Sequence, residues 1–87
     1  MKIKKELVKR DIAGDTVLVP IGKSVYESNG LFILNGVGAF LWDRLEEAES
    51  EETLLTALLE EYEVTEDAAR KDIHDFLETL REMEILA

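Results

Sequence analysis

The apolar pattern of this chain changes character once, at Asn35, and that single change constrains the fold more than any other feature. Before it, the apolar residues fall in short β-prone runs. After it, they recur at helical spacing to the end of the 87 residues. A block of strands followed by a block of helices argues for an α+β domain, because no strand–helix alternation is present to build a parallel sheet.

The strands are predicted at Leu7 to Ile12, at Thr16 to Pro20 and at Leu31 to Leu34. Ala13-Gly14-Asp15 separates the first two, and its Gly-Asp pair between β-prone runs signals a hairpin. Pro20 cannot donate to a ladder, so it must close its strand or lie on an edge. The stretch "GKSVYESNG" reads as a connection, with Asn29-Gly30 as a tight turn. "LFIL" is apolar at all four positions, which predicts cover on both faces.

Each helix is announced by a capping residue. Asn35, Ser50 and Thr65 carry side-chain oxygens able to accept from the free N–H groups one turn inside a helix. Glu51-Glu52 and Glu66-Asp67 place negative charge at the positive ends of the second and third dipoles. The apolar stripes are Val37, Phe40, Leu41, Leu45 and Ala48, then Leu54, Leu55, Leu58, Leu59 and Tyr62, then Ala69, Ile73, Phe76, Leu77, Leu80 and Met83. Trp42 is expected in the core where the first of these helices meets the sheet, and the closing "ILA" is expected to fold back on it.

The segment "NGLFILNGVGAFLWDRL" invites comparison with nucleotide loops, and fails it. A dinucleotide fingerprint needs a third glycine and a following parallel strand. Here Gly36 and Gly38 are followed by Leu41, and no Lys-Ser/Thr pair makes a phosphate loop. The glycines are read instead as allowing the first helical turn to lie close to another backbone. No catalytic residue, metal set or cofactor is assigned. The chain has one histidine, His74, expected to face solvent, and no cysteine. Twenty acidic residues guarantee chance pairs of carboxylates, and no spacing demands a pocket around any of them.

Charge narrows the class of partner. The net charge of −10 is uneven: residues 1–42 sum to +2, residues 43–63 to −8 and residues 64–87 to −4. A polyanion is repelled by such a C-terminal half, so no nucleic-acid partner is expected, and a DNA-binding winged helix or another protein-interaction domain is the alternative. No apolar run nears the ~20 residues that span a bilayer, and the basic start lacks the apolar core of a signal peptide. A cytoplasmic protein with no membrane partner is expected.

The runs "TVLVP", "LNGVGAFLWDRL", "LLTALLEEYEV" and "ARKDIHDFLETLREMEIL" together resemble the PqqD-like family, the peptide chaperones of pyrroloquinoline quinone synthesis and their relatives, also called RiPP recognition elements. The likeness runs from about Leu7 to Leu86. It implies one domain over residues 1–87, winged-helix-like, with a three-stranded antiparallel sheet followed by three helices. It implies a binding protein rather than an enzyme. Such a domain takes the leader segment of a ribosomally made precursor as an added strand and presents the peptide to a modifying enzyme, often a radical SAM enzyme. Carried onto this chain, the resemblance places Leu31, Phe32, Ile33 and Leu34 on the strand side of the groove. Asp72, Asp75, Phe76 and Thr79 fall on the helix side, with Leu80 at its base. At this length the domain is expected to stand alone and meet its enzyme in trans. The opposing expectation is that the chain's own N-terminal segment covers the third strand, as edge strands are often covered.

Overall fold

The computed structural model describes residues 1–27 and 32–87, side chains excepted at 26 and 27. β1 (Leu7–Ile12) and β2 (Asp15–Pro20) form an antiparallel hairpin, with Leu7 opposite Pro20 and Ile12 opposite Asp15. The turn is two residues, Ala13 and Gly14, both at positive φ (52° and 88°). That is the geometry whose twist matches the flanking strands. Asp15 therefore opens β2 rather than closing the turn, one residue earlier than the Gly-Asp signal implies. Pro20 ends β2, beyond the reach of the next strand, so its missing N–H leaves no gap in a ladder.

A short helix, α1 (Ser24–Glu27), interrupts the connection expected to be irregular. Ser24 is buried, and its Oγ accepts from the Glu6 backbone N–H at 2.7 Å. This bond spans eighteen positions of sequence and ties the connection to the start of β1. The expected Asn29-Gly30 turn and Leu31 lie outside the described residues.

β3 (Phe32–Leu34) pairs antiparallel with β2, Thr16 facing Leu34 and Leu18 facing Phe32, and the strand order is β1-β2-β3. Three longer helices follow: α2 (Gly36–Leu45), α3 (Glu51–Glu61) and α4 (Glu66–Glu82). The three expected caps are all made. Asn35 accepts from Gly38 N–H at 2.7 Å, Ser50 from Thr53 at 3.4 Å and Thr65 from Ala68 at 3.2 Å.

The core lies between these helices and one face of the sheet. Leu18, Leu41, Leu45, Leu54, Leu58, Ile73, Leu77 and Leu80 are its largest fully buried side chains. Burying each such side chain contributes roughly 1.5–3 kcal/mol against an extended-chain reference. Phe40 meets Tyr62 edge to face at 5.4 Å between centroids, and the Arg44 guanidinium lies over the Phe40 ring. Met83 departs from the expected stripe. It is the C-terminal cap of α4 and is 37% exposed. Glu84 then takes a positive φ of 58°, and Ile85 N–H returns to the Leu80 carbonyl at 2.8 Å. This reversal turns Ile85 and Leu86 back into the core, where both are buried.

The N-terminal arm runs to the same place. Ile3 bridges Leu86, Lys4 N–H donates to the Ile85 carbonyl and Ala87 N–H to the Lys2 carbonyl. The Met1 ammonium donates to the carbonyls of Leu45 and Ala48, where α2 ends. Trp42 is half-buried and borders a surface hollow with Ile3 and Leu7, so it packs beside this arm and the start of β1.

Candidate functional site

The sheet has two edges, and their chemistry differs. β1 presents Lys9, Arg10 and Asp11 along its middle, charges of the kind that discourage an additional strand. β3 carries only Phe32, Ile33 and Leu34. Its second side pairs with no strand among the described residues, and the N-terminal arm, engaged with residues 85–87, does not cover it. The expectation of a strand sealed by the chain's own amino terminus therefore gives way to an arm clasped to the carboxyl terminus.

Beside β3 lies a cavity of about 260 Å³, lined by Phe32, Asn35, Val37, Gly38, Leu41, Asp72, Asp75, Phe76 and Thr79. It is built from three elements. Phe32 comes from the strand, and its alternation with Ile33 turns it toward the helices. Asn35, Val37, Gly38 and Leu41 come from the strand–helix joint and the first turns of α2. The α4 residues fall at 72, 75, 76 and 79, the spacing that puts four side chains on one helical face.

Five of the nine sequence-predicted site residues thus converge on one cavity: Phe32, Asp72, Asp75, Phe76 and Thr79. The others are placed differently. Leu34 and Leu80 are buried in the interior. Ile33 lies opposite Val17 on the other face of the sheet and is 62% exposed, so the expectation of cover on both faces of this strand is not met there. A three-residue edge strand has too little neighbouring structure to shelter that side chain. Ile33 offers the groove its backbone only. Leu31 falls outside the described residues.

The α2 contribution was not among the predicted site residues. Asn35 and Gly38 had been assigned to capping and backbone packing, and both roles turn out to serve the cavity. A Cβ on Gly38 would lie 3.2 Å from Asn35 Oδ1 and 3.6 Å from the Phe76 ring, so the missing side chain leaves room inside the cavity. Gly36 has open space around its Cβ position, and close packing does not require glycine there. The signal was present in sequence, since three of the four α2-side residues are the turn that follows the strand.

The cavity lining combines apolar side chains with two carboxylates, Asp72 and Asp75. Lys71 donates to Asp75 at 2.7 Å, one helical turn away. That hydrogen bond, with the charge of Lys71, holds the Asp75 carboxyl below the usual carboxylate range. Lys71 is raised in turn, chiefly by the same bond and in smaller part by the charge of Asp72. Asp72 makes no ion pair among the described residues. Thr79 turns its hydroxyl inward along the helix, donating to the Asp75 carbonyl at 2.9 Å. His74 is exposed, outside this cavity.

An unpaired strand edge next to an apolar cleft is the geometry into which an extended peptide can add as a strand, with its backbone bonded to the edge and alternate side chains in the cleft. A volume near 260 Å³ is below the range of pockets that enclose whole small-molecule ligands, and suits one or two anchoring side chains.

Comparison with known proteins points the same way. A solved structure described as TbiB1 in complex with the TbiA(beta) leader peptide superposes with a TM-score of 0.76 at 31% sequence identity, covering 99% of this chain and 94% of that chain. Comparison with curated proteins gives no match. The family described as coenzyme PQQ synthesis protein D (PqqD) matches residues 15–86, from the first residue of β2 to the C-terminal bridge. On that match, which takes in every element that builds the cavity, the chain belongs to the PqqD family.

Proposed function

We propose that this chain is a RiPP recognition element that binds the leader segment of a ribosomally synthesised precursor peptide by strand addition at β3 and presents the peptide to a modifying enzyme. The observation that carries this is the open edge of β3 beside a cavity shared with α4. The peptide backbone pairs with residues 32–34, and its inward side chains enter between Phe32 and Phe76. Main-chain bonds supply register and the apolar anchors supply most of the affinity, because exposed ion pairs contribute only about 0–1 kcal/mol each. The enzyme served is proposed to be a radical SAM enzyme or another peptide-modifying enzyme, reached in the cytoplasm.

The test is a titration of the isotope-labelled protein with the leader of a precursor encoded beside its gene. Amide resonances of residues 32–34, 38 and 72–79 are expected to shift, at micromolar peptide or below. Methylating leader backbone nitrogens one at a time should weaken binding at alternate positions, since successive N–H groups of a strand point to opposite sides. Shifts confined to other surfaces, or insensitivity to every methylated position, would overturn strand addition at β3. Co-purification with the neighbouring enzyme tests the second half of the proposal.

A further inference from the structure

The cavity has a charge asymmetry that strand addition alone does not require. Its lining includes two carboxylates, Asp72 and Asp75, and no lysine or arginine. The two acids are not equivalent. Asp75 is already engaged by Lys71, whereas Asp72 has no such partner among the described residues. Both lie on α4 and share the cavity with the apolar side chains of Phe32, Leu41 and Phe76.

The spacing relates Asp72 to the apolar anchor. Asp72 stands four residues before Phe76 on α4, about 6 Å along a helix that rises 1.5 Å per residue. Side chains on the same face of an extended peptide recur every two residues, about 6.6 Å apart. A peptide strand that runs along α4 and seats one residue against Phe32 and Phe76 places its same-face neighbour beside Asp72.

We infer, resting on the leader-binding function proposed above, that Asp72 is a specificity-determining residue and selects leaders that carry a lysine or arginine two positions from the apolar anchor. The charge discriminates more than it binds. An exposed ion pair changes affinity by about two- to fivefold, while a carboxylate brought against Asp72 in this acidic chain is rejected. The discrimination weakens with salt, because both charges are solvent-exposed and their attraction is screened as ionic strength rises.

The experiment selects peptides from a displayed library of random sequences against the wild-type chain, Asp72→Lys and Glu60→Lys. The last variant makes the same change in net charge on an exposed position of α3, away from the cavity. Circular dichroism checks that all three fold, and each selection is repeated after washing with an unmethylated synthetic copy of a peptide recovered from the first round. The wild type and Glu60→Lys are expected to enrich peptides with an apolar residue and a lysine or arginine two positions away. Asp72→Lys is expected to enrich aspartate or glutamate at that position. Apolar anchors without any charge preference, or the same preference in all three selections, would overturn the role of Asp72 while leaving peptide binding at β3 standing. Recovery of no peptide that the competitor displaces would overturn both.

Discussion

Removing the side chain of Asn35 should weaken the joint on which the cavity is built, and the size of the effect can be worked out. Asn35 Oδ1 accepts from Gly38 N–H at 2.7 Å, and the Asn35 backbone is extended (φ −80°, ψ 179°), so Asn35→Ala removes a cap without relieving strain. Loss of an N-cap costs ~0.5–2 kcal/mol. The lowest part of that range is excluded here for two reasons. α2 has no acidic residue in its first turn to interact with the dipole, and it begins Gly-Val-Gly, where each glycine in a helix is up to ~1 kcal/mol less favourable than alanine. A loss of ~1–1.5 kcal/mol lowers the melting temperature of a domain this size by ~4–12 °C. With a urea slope near ~1 kcal/mol/M for a small domain, the midpoint falls by about 1–1.5 M. Urea and thermal unfolding followed by far-ultraviolet circular dichroism measure both, and hydrogen exchange at the Gly38 amide should accelerate. Asn35→Asp keeps the acceptor and adds charge at the positive end of the dipole, so it should match or exceed the wild type. Asn35→Gly should lose only a few tenths of a kcal/mol. An Asn35→Ala midpoint indistinguishable from wild type would refute the claim that this cap holds α2 against the strand.

Other substitutions follow from the same structure. Ala13 sits at φ 52° in a turn that favours asparagine, so Ala13→Asn should raise stability by a few tenths to ~1 kcal/mol in urea unfolding. Leu18 is 1% exposed at the centre of the sheet, and Leu18→Ala should cost ~2–5 kcal/mol, a large part of the stability of so small a domain. Arg70 donates to Glu52 at 2.6 Å and holds its carboxyl below the usual range, through that hydrogen bond first and its charge second. A folded-state carboxyl depressed in this way contributes stability above its unfolded pKa and loses it as pH falls through the folded one. Arg70→Gln should therefore be less stable than wild type at neutral pH, and the two urea midpoints should converge in acid. In that variant the Glu52 side-chain resonance should titrate at higher pH than in wild type.

The elements that were legible in the sequence are those fixed by neighbours a few positions away. Asn35, Ser50 and Thr65 cap their helices because each cap and the backbone N–H that donates to it lie within one turn. The stripes of α3 and α4 bury Leu54, Leu55, Leu58, Ala69, Ile73, Leu77 and Leu80, leave Leu59, Tyr62 and Phe76 partly buried against the core, and lose Met83 where the helix ends. The sheet order was not readable from pattern, but the family likeness implied a free third strand, and β3 is an edge. What escaped depends on distant partners. α1 leans on a bond from Ser24 to Glu6, and the burial of Ile33 depends on what lies across the sheet, which four apolar letters do not encode. In the cavity, Phe32, Asp72, Asp75, Phe76 and Thr79 came from the resemblance. Asn35, Val37, Gly38 and Leu41 carry no separate signal of a site in the sequence, because each also has a structural task in capping, close packing or the α2 stripe.

The clasp between Ile3 and Leu86 sets where attachments can be made. Both ends of the described chain leave side by side near the final carbonyls of α2, whereas the cavity opens at that helix's first turns, about 15 Å away for ten residues. A host protein could therefore accept this domain inside one of its loops through two short tethers, with the docking edge turned outward and unobstructed. A bulky tag that replaces the Met1 ammonium would instead pry at the fold from the side remote from its ligand, and its cost would appear in melting temperature before it appeared in peptide affinity.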